Sequence, residues 1–241
     1  MVIPPFREGD VERAVATLAE RQNGLQNLKA KVKFSIESPD LERRQRFRGN
    51  LAVEMPDKLR LVSSGVFGRK LFDLISVEKS FLLHFPSERK VFFEKEGMAV
   101  ESLPFSVSPS DITKELFLPE DWGRIDLADV ELISPGGRRT TIAVSSGGRL
   151  KRKLWLERPR WLLVRDELYA EDGTLRAVTV LGRYRRIQTI WLPTYLEAHY
   201  PMRETRMIMN IGSVKVNTDL HPRMFVFPEK LLLMAQQQRE S

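Results

Sequence analysis

From Leu28 to Glu37 the chain sets Ala30, Val32, Phe34 and Ile36 against Lys29, Lys31, Lys33 and Ser35. A period of two turns one set of side chains toward a core and the other toward water, so this segment predicts a strand with one buried face. Similar segments follow at Gln45 to Glu54, Lys58 to Ser63, Lys70 to Ser76, Ser80 to Pro86 and Arg89 to Lys95. Met55-Pro56-Asp57, Ser64-Gly65, Val77-Glu78-Lys79 and Pro86-Ser87-Glu88 supply turns between them. With no helical stretch intervening, consecutive strands are expected to pair as an antiparallel meander.

Helical spacing appears in two places. Val11, Ala14, Val15, Leu18 and Ala19 give Asp10 to Asn23 one apolar side, with Asp10 as a cap and Gly24 as a stop. Ser108-Pro109-Ser110-Asp111 opens a second helix through about Phe117, with Ile112, Leu116 and Phe117 on its apolar side and Pro119 ending it. Further strands are expected at Val130 to Ile133, Thr140 to Val144, Leu150 to Glu157, Trp161 to Ala170, Leu175 to Arg186, Ile190 to Tyr200 and Thr205 to Val216. About a dozen strands must form a sandwich or curl. The helix before the first strand and the one near the middle favour a curl, because they can plug the concave side of a half-closed barrel.

The length of 241 residues and a hydrophobic content of 42% allow one large core. The expected organisation is a flexible segment at 1–9, one domain at 10–228 and a tail at 229–241. Cysteine is absent, which excludes disulfides, thiolate zinc sites, haem attachment and a cysteine nucleophile. No run of ~18 apolar residues is present to span a bilayer as a helix. His84, His199 and His221 are scattered singly, Asp166 and Glu167 alternate to opposite faces of a strand, and Ser63-Ser64-Gly65 and Ser145-Ser146-Gly147 read as turns. No catalytic residue, metal site or cofactor is therefore assigned, and the chain is expected not to be an enzyme.

A net charge of +7 attracts the chain to anionic surfaces, nucleic acid or phospholipid head groups. Arg43, Arg44, Arg46 and Arg48, Lys151 to Lys153, and Arg183, Arg185 and Arg186 lie in or beside expected strands, where alternation puts half of each group on a solvated face. Arg183-Tyr184-Arg185-Arg186 admits a nucleic-acid reading, but no RNA-binding motif accompanies it, and no nucleic-acid partner is expected.

The order of several segments resembles the LolA/LolB-like superfamily of bacterial lipoprotein carriers and receptors. The matching stretches are Gly49 to Leu61 (Gly-Asn-Leu-Ala-Val-Glu-Met-Pro-Asp-Lys-Leu-Arg-Leu), Leu71 to Leu74, Phe81 to Pro86, Lys153 to Pro159, the hairpin Glu167 to Leu175, Leu192-Pro193 to Tyr200-Pro201, and Val214-Lys215-Val216-Asn217 to Phe225-Val226-Phe227-Pro228. Together they span Val11 to Pro228. The resemblance implies a mainly β (α+β) fold: an incomplete antiparallel β-barrel of about eleven strands, with short helices closing its concave side over a hydrophobic cavity.

It also implies a monomer that binds lipid acyl chains or lipoproteins on the periplasmic side of the bacterial envelope. The start Met1-Val2-Ile3-Pro4-Pro5 looks like a replacement for a signal peptide and a lipidated cysteine, which would make the native protein an outer-membrane lipoprotein anchored as LolB is. Expected cavity residues lie on the apolar faces: Val32, Phe34 and Ile36, Leu51 and Val53, and Leu59 and Leu61. The set continues with Phe72 and Leu74, Phe81, Leu83 and Phe85, then Val164, Val180, Met207 and Met209. LolB is similar in carrying an exposed apolar residue on a loop, which makes Val66 and Phe67 membrane-facing candidates unless Phe67 folds back onto the core. An envelope docking protein with the same fold is the alternative function.

Overall fold

A computed structural model describes residues 5–65, 68–95 and 122–240. The expected helix at Ser108 to Phe117 and the loop residues Val66 and Phe67 lie outside them. The chain divides into two compact units, the first holding the described residues up to Gly24 and 122–208, the second those from Leu25 to Lys95 and 209–240.

The second unit is built as the alternation predicts. Strands β1 (Asn27–Glu37), β2 (Gln45–Glu54), β3 (Lys58–Ser64), β4 (Lys70–Val77), β5 (Ser80–Phe85) and β6 (Lys90–Glu94) pair in sequence as an antiparallel meander. Strand β15 (Thr205–Val216) adds to β1. Gly49 interrupts the apolar file of β2 because a Cβ there would lie 2.4 Å from the Val62 carbonyl oxygen. Residues 229–240, expected as a tail, form helix α2 (Glu229–Glu240). Its Ala235 is buried with Leu82 and Val91, and Leu231 and Leu232 pack beside them. The same helix treats the edge strand: Gln238 Oε1 accepts from the Val91 N–H at 3.0 Å, Gln238 Nε2 donates to the Arg89 carbonyl at 2.7 Å, and Arg239 donates to the Phe93 carbonyl.

In the first unit helix α1 (Asp10–Gly24) turns Ala14, Val15 and Leu18 onto a core that includes Trp122, Ile142, Val144, Leu154, Leu156 and Trp161. The carboxylate of Asp10 accepts from the Arg7 N–H and from the guanidinium groups of Arg13 and Arg158, the latter two at 2.9 and 3.4 Å. Strands β7 (Val130–Ser134), β8 (Arg139–Ser146), β9 (Arg149–Glu157), β10 (Leu162–Tyr169), β11 (Leu175–Gly182) and β14 (Tyr195–Tyr200) form its antiparallel ladder, followed by the start of β15.

Two expected strands break here. Leu175 to Arg186 divides into β11 and β12 (Arg185–Ile187), because Arg183 takes φ of 52° and turns the chain. Ile190 to Tyr200 divides into β13 (Ile190–Leu192) and β14 at Pro193, which has no N–H to give. The gap is stitched by Thr194, whose N–H donates to the Gly182 carbonyl and whose hydroxyl donates to that of Arg183. β12 and β13 pair with each other as a separate hairpin.

The architecture is thus mainly β, and among the described residues thirteen strands pair antiparallel, against about eleven expected. Among the described residues the ladder ends at β6 and β7, which are not hydrogen-bonded to each other.

Candidate functional site

Residues directly opposite each other in an antiparallel pair share a face. In the second unit the register places Ala30 opposite Leu51, Leu51 opposite Leu61, Leu61 opposite Leu74 and Leu74 opposite Leu83. A parallel row runs from Leu28 through Val53, Leu59 and Ser76 to Phe81. Period two then carries Val32, Phe34, Ile36, Phe72 and Phe85 to the same side. All twelve residues expected there on β1–β5 therefore occupy one continuous face. Eleven of them are buried and Phe85 is half-buried.

One end of this face is aromatic. Phe34 stacks on Phe47 at 5.0 Å between centroids, Phe72 meets both edge-on at 5.7 and 5.4 Å, and Phe85 links Phe72 to Phe92 at 6.0 and 6.1 Å. Phe47 and Phe92 were not expected at the site. The signal for Phe47 was its parity with Leu51, masked by flanking Arg46 and Arg48. For Phe92 it was the register, which sets Phe92 opposite Leu83 and Phe93 opposite Leu82 on the other face, against Phe227.

Of the remaining expected residues, Val164, Val180 and Met207 belong to the first unit and Met209 to β15 in the second. Met209 is buried in the second unit and Met207 in the first. Val164 is half-buried in a bulge between Leu163 and Arg165. The buried face of the first unit is the file Ile142, Leu154, Asp166, Thr179 and Ala198, each directly opposite the next. Val180 lies on the reverse side, opposite Arg165 and Glu197 and in file with Trp155. Asp166 and Glu167 do part as expected. The Asp166 carboxylate meets Arg152, whereas Glu167 accepts from Arg165 and Tyr169.

The reverse face of the second unit is apolar under the C-terminal helix, around Leu82 and Val91, and carries an ionic cluster on β3 and β4. Arg60 binds Asp73 through two hydrogen bonds of 3.0 and 2.8 Å, Lys70 adds a third at 2.8 Å, and Arg60 also donates to the Met224 carbonyl at 3.1 Å. Burial alone would raise the Asp73 carboxyl, but the hydrogen bonds and charges of Arg60 and Lys70 outweigh it and hold the group below its ordinary value. A depressed carboxyl contributes stability that is complete above its unfolded pKa of ~3.9 and is lost as pH falls through the lower folded value. Asp73→Asn is therefore expected to lower stability at neutral pH and to flatten the acid limb below about pH 4. Urea midpoints against pH check this, and parallel curves for the two proteins would refute it.

Among the described residues no group of three or more His, Asp or Glu side chains could hold a metal ion, and no helix is long and apolar enough to cross a membrane. His221 caps a short turn, its Nδ1 accepting from the Arg223 N–H at 3.2 Å.

No family model and no curated protein matches the sequence. Solved structures share the fold. A DUF1329 family protein from Desulfovibrio piger is 13% identical with a TM-score of 0.66, the match covering 90% of this chain and 97% of that one. A domain described as an outer membrane lipoprotein-sorting protein domain, from Vibrio parahaemolyticus, is 11% identical with a TM-score of 0.58, over 93% and 99%. A LolA superfamily protein from Nitrosomonas europaea is 12% identical with a TM-score of 0.54, over 90% and 97%. The chain has the LolA-like fold.

Proposed function

We propose that this LolA-like sheet binds lipid acyl chains or acylated lipoproteins along the apolar face of β1–β5, as a non-catalytic carrier or receptor. The observation that carries the reading is the register. It gathers twelve apolar residues from five strands onto one face and adds a row of phenylalanine rings, a surface with the width and chemistry to hold a hydrocarbon chain. Each buried methylene contributes ~0.8 kcal/mol, so sheltering half of a sixteen-carbon chain supplies a gross ~6 kcal/mol, and sheltering more of the chain offsets the cost of association.

The proposal extends to a monomer on the periplasmic side of the bacterial envelope, held at the outer membrane in the manner of LolB, with Val66 and Phe67 as the membrane-contact candidates. The lipoprotein-sorting description of the Vibrio protein supports the class of cargo. Val164, Val180, Met207 and Met209 remain cavity residues by proposal, Val180 with least support because its file carries Arg165 and Glu197.

A second reading is favoured by the burial of eleven of the twelve residues by the chain itself: the face is filled, and the fold docks an envelope protein. Native mass spectrometry of protein purified from bacterial membranes separates the two. Lipid carriage predicts an adduct of acyl-lipid mass that solvent extraction removes, and roughly four- to tenfold weaker binding of a fluorescent fatty acid by Phe47→Ser, since the exposed half of the ring can contribute about 0.8–1.5 kcal/mol of contact. Lipid-free protein that also ignores the fatty acid would leave docking as the function.

A further inference from the structure

The face of β1–β3 opposite the apolar one has a chemistry the acyl-binding reading does not use. A cleft of about 440 Å³ opens there, lined by Lys29, Lys31 and Lys215, by Asn50 and Ser213, and by an apolar floor of Ala52, Val62 and Met224. Arg60 also borders it, with its guanidinium held by Asp73 and by the Met224 carbonyl. Lys29 donates to the main-chain carbonyl of Asp219 at 3.1 Å, a contact that leaves its charge uncompensated.

Beyond the cleft the same face carries Lys33 directly opposite Arg48, with Arg46 one place further along β2. Among the described residues, Lys31, Lys33, Arg46, Arg48 and Lys215 form no ion pair. Like charges set directly across a strand pair destabilise it. A sheet that keeps Lys33 opposite Arg48 with no carboxylate between them loses stability and gains a field of one sign.

We propose that this face docks on an anionic phospholipid bilayer, and that the cleft receives a headgroup phosphate. The amines of Lys29, Lys31 and Lys215 meet the phosphate charge, Asn50 and Ser213 offer hydrogen bonds, and the neck of the lipid rests on Ala52, Val62 and Met224. Charge complementarity selects the occupant. A single-stranded nucleic acid would need stacking rings, and no aromatic residue lines the cleft. The inference stands apart from acyl sheltering, which uses the other side of the same strands.

Vesicle co-sedimentation at low salt tests it. The protein is expected to bind mixed phosphatidylglycerol–phosphatidylcholine vesicles and not pure phosphatidylcholine, with binding that fades as salt rises. Each cation near such a surface contributes roughly fivefold, so K31E/K33E/K215E is expected to bind at least about a hundredfold more weakly. The lysine-to-arginine triple variant should retain binding, as should R185E/R186E on the separate β12–β13 hairpin. Equal thermal midpoints establish that the charge variants are folded, and the neutral K31Q/K33Q/K215Q serves if the reversal is not.

Equal binding to neutral vesicles, an undiminished triple variant, or an equal loss in R185E/R186E would each overturn the proposal. So would displacement from vesicles by millimolar glycerol phosphate, which marks a free-phosphate site, or tighter binding to an acidic peptide or an oligonucleotide than to vesicles. The fatty-acid affinity of the triple variant should stay at the wild-type value, which distinguishes a failure of docking from a failure of acyl binding.

Discussion

Asp166→Ala is expected to cost about 3–5 kcal/mol. Asp166 stands in the buried file between Leu154 and Thr179, and its carboxylate meets Arg152 at 3.2 and 2.9 Å, the two side chains keeping 8% and 6% of their exposure. The Arg152 guanidinium also lies 5.6 Å from the centre of the Trp122 ring. Removing the carboxylate takes a hydrogen-bonded counter-charge from a buried guanidinium, and that loss inside the core, rather than the net worth of the pair, sets the penalty. The double change R152M/D166L removes both charges and should recover most of the loss. Guanidinium unfolding reads both outcomes as midpoint shifts at constant slope. A loss below about 1 kcal/mol for the single variant would show that the site is wetter than its burial implies.

Phe72→Ala should cost a similar ~3–5 kcal/mol in the second unit. Its ring is the hub of the aromatic row, touching Phe34, Phe47 and Phe85 with centroids 5.4–6.0 Å away. Truncation removes both the transfer free energy of a buried ring and the edge-on contacts, and the surrounding rings cannot collapse into the space without leaving their own strands. A cycle combining it with Phe34→Leu should show a coupling of about 0.5–1.5 kcal/mol. Strict additivity would mean that the rings are neighbours without a specific interaction.

The sequence made the second unit readable for a physical reason. β1 alternates without exception from Lys29 to Ile36, and the short turns after β2, β3, β4 and β5 keep consecutive strands antiparallel, so parity alone assigns a face to every residue. The first unit lacks both aids. In β11 the run Ala177-Val178-Thr179 is buried on both sides, which erases the period of two on which the assignment of Val180 to the apolar face relied. A bulge between Leu163 and Arg165 resets the parity of β10, which is why Val164 falls outside any file.

Arg152 illustrates the limit of composition. Alternation puts half of Lys151-Arg152-Lys153 on a solvated face, and the middle member is the one turned inward, paired with a partner fourteen residues away. Nothing local encodes that pairing. The C-terminal helix has a local signal, since Leu231, Leu232 and Ala235 recur at helical spacing in a segment expected as a tail.

That same glutamine-rich end settles how the sheet stops. A border strand with idle amides is a template on which any extended peptide, including a second copy of the chain, can lay itself down. Gln238 presents a side-chain amide that imitates a peptide group, giving the β6 border one acceptor and one donor. Proteolysis just beyond Pro228 would strip away this counterfeit neighbour and convert a finished rim into a growth point for stacking.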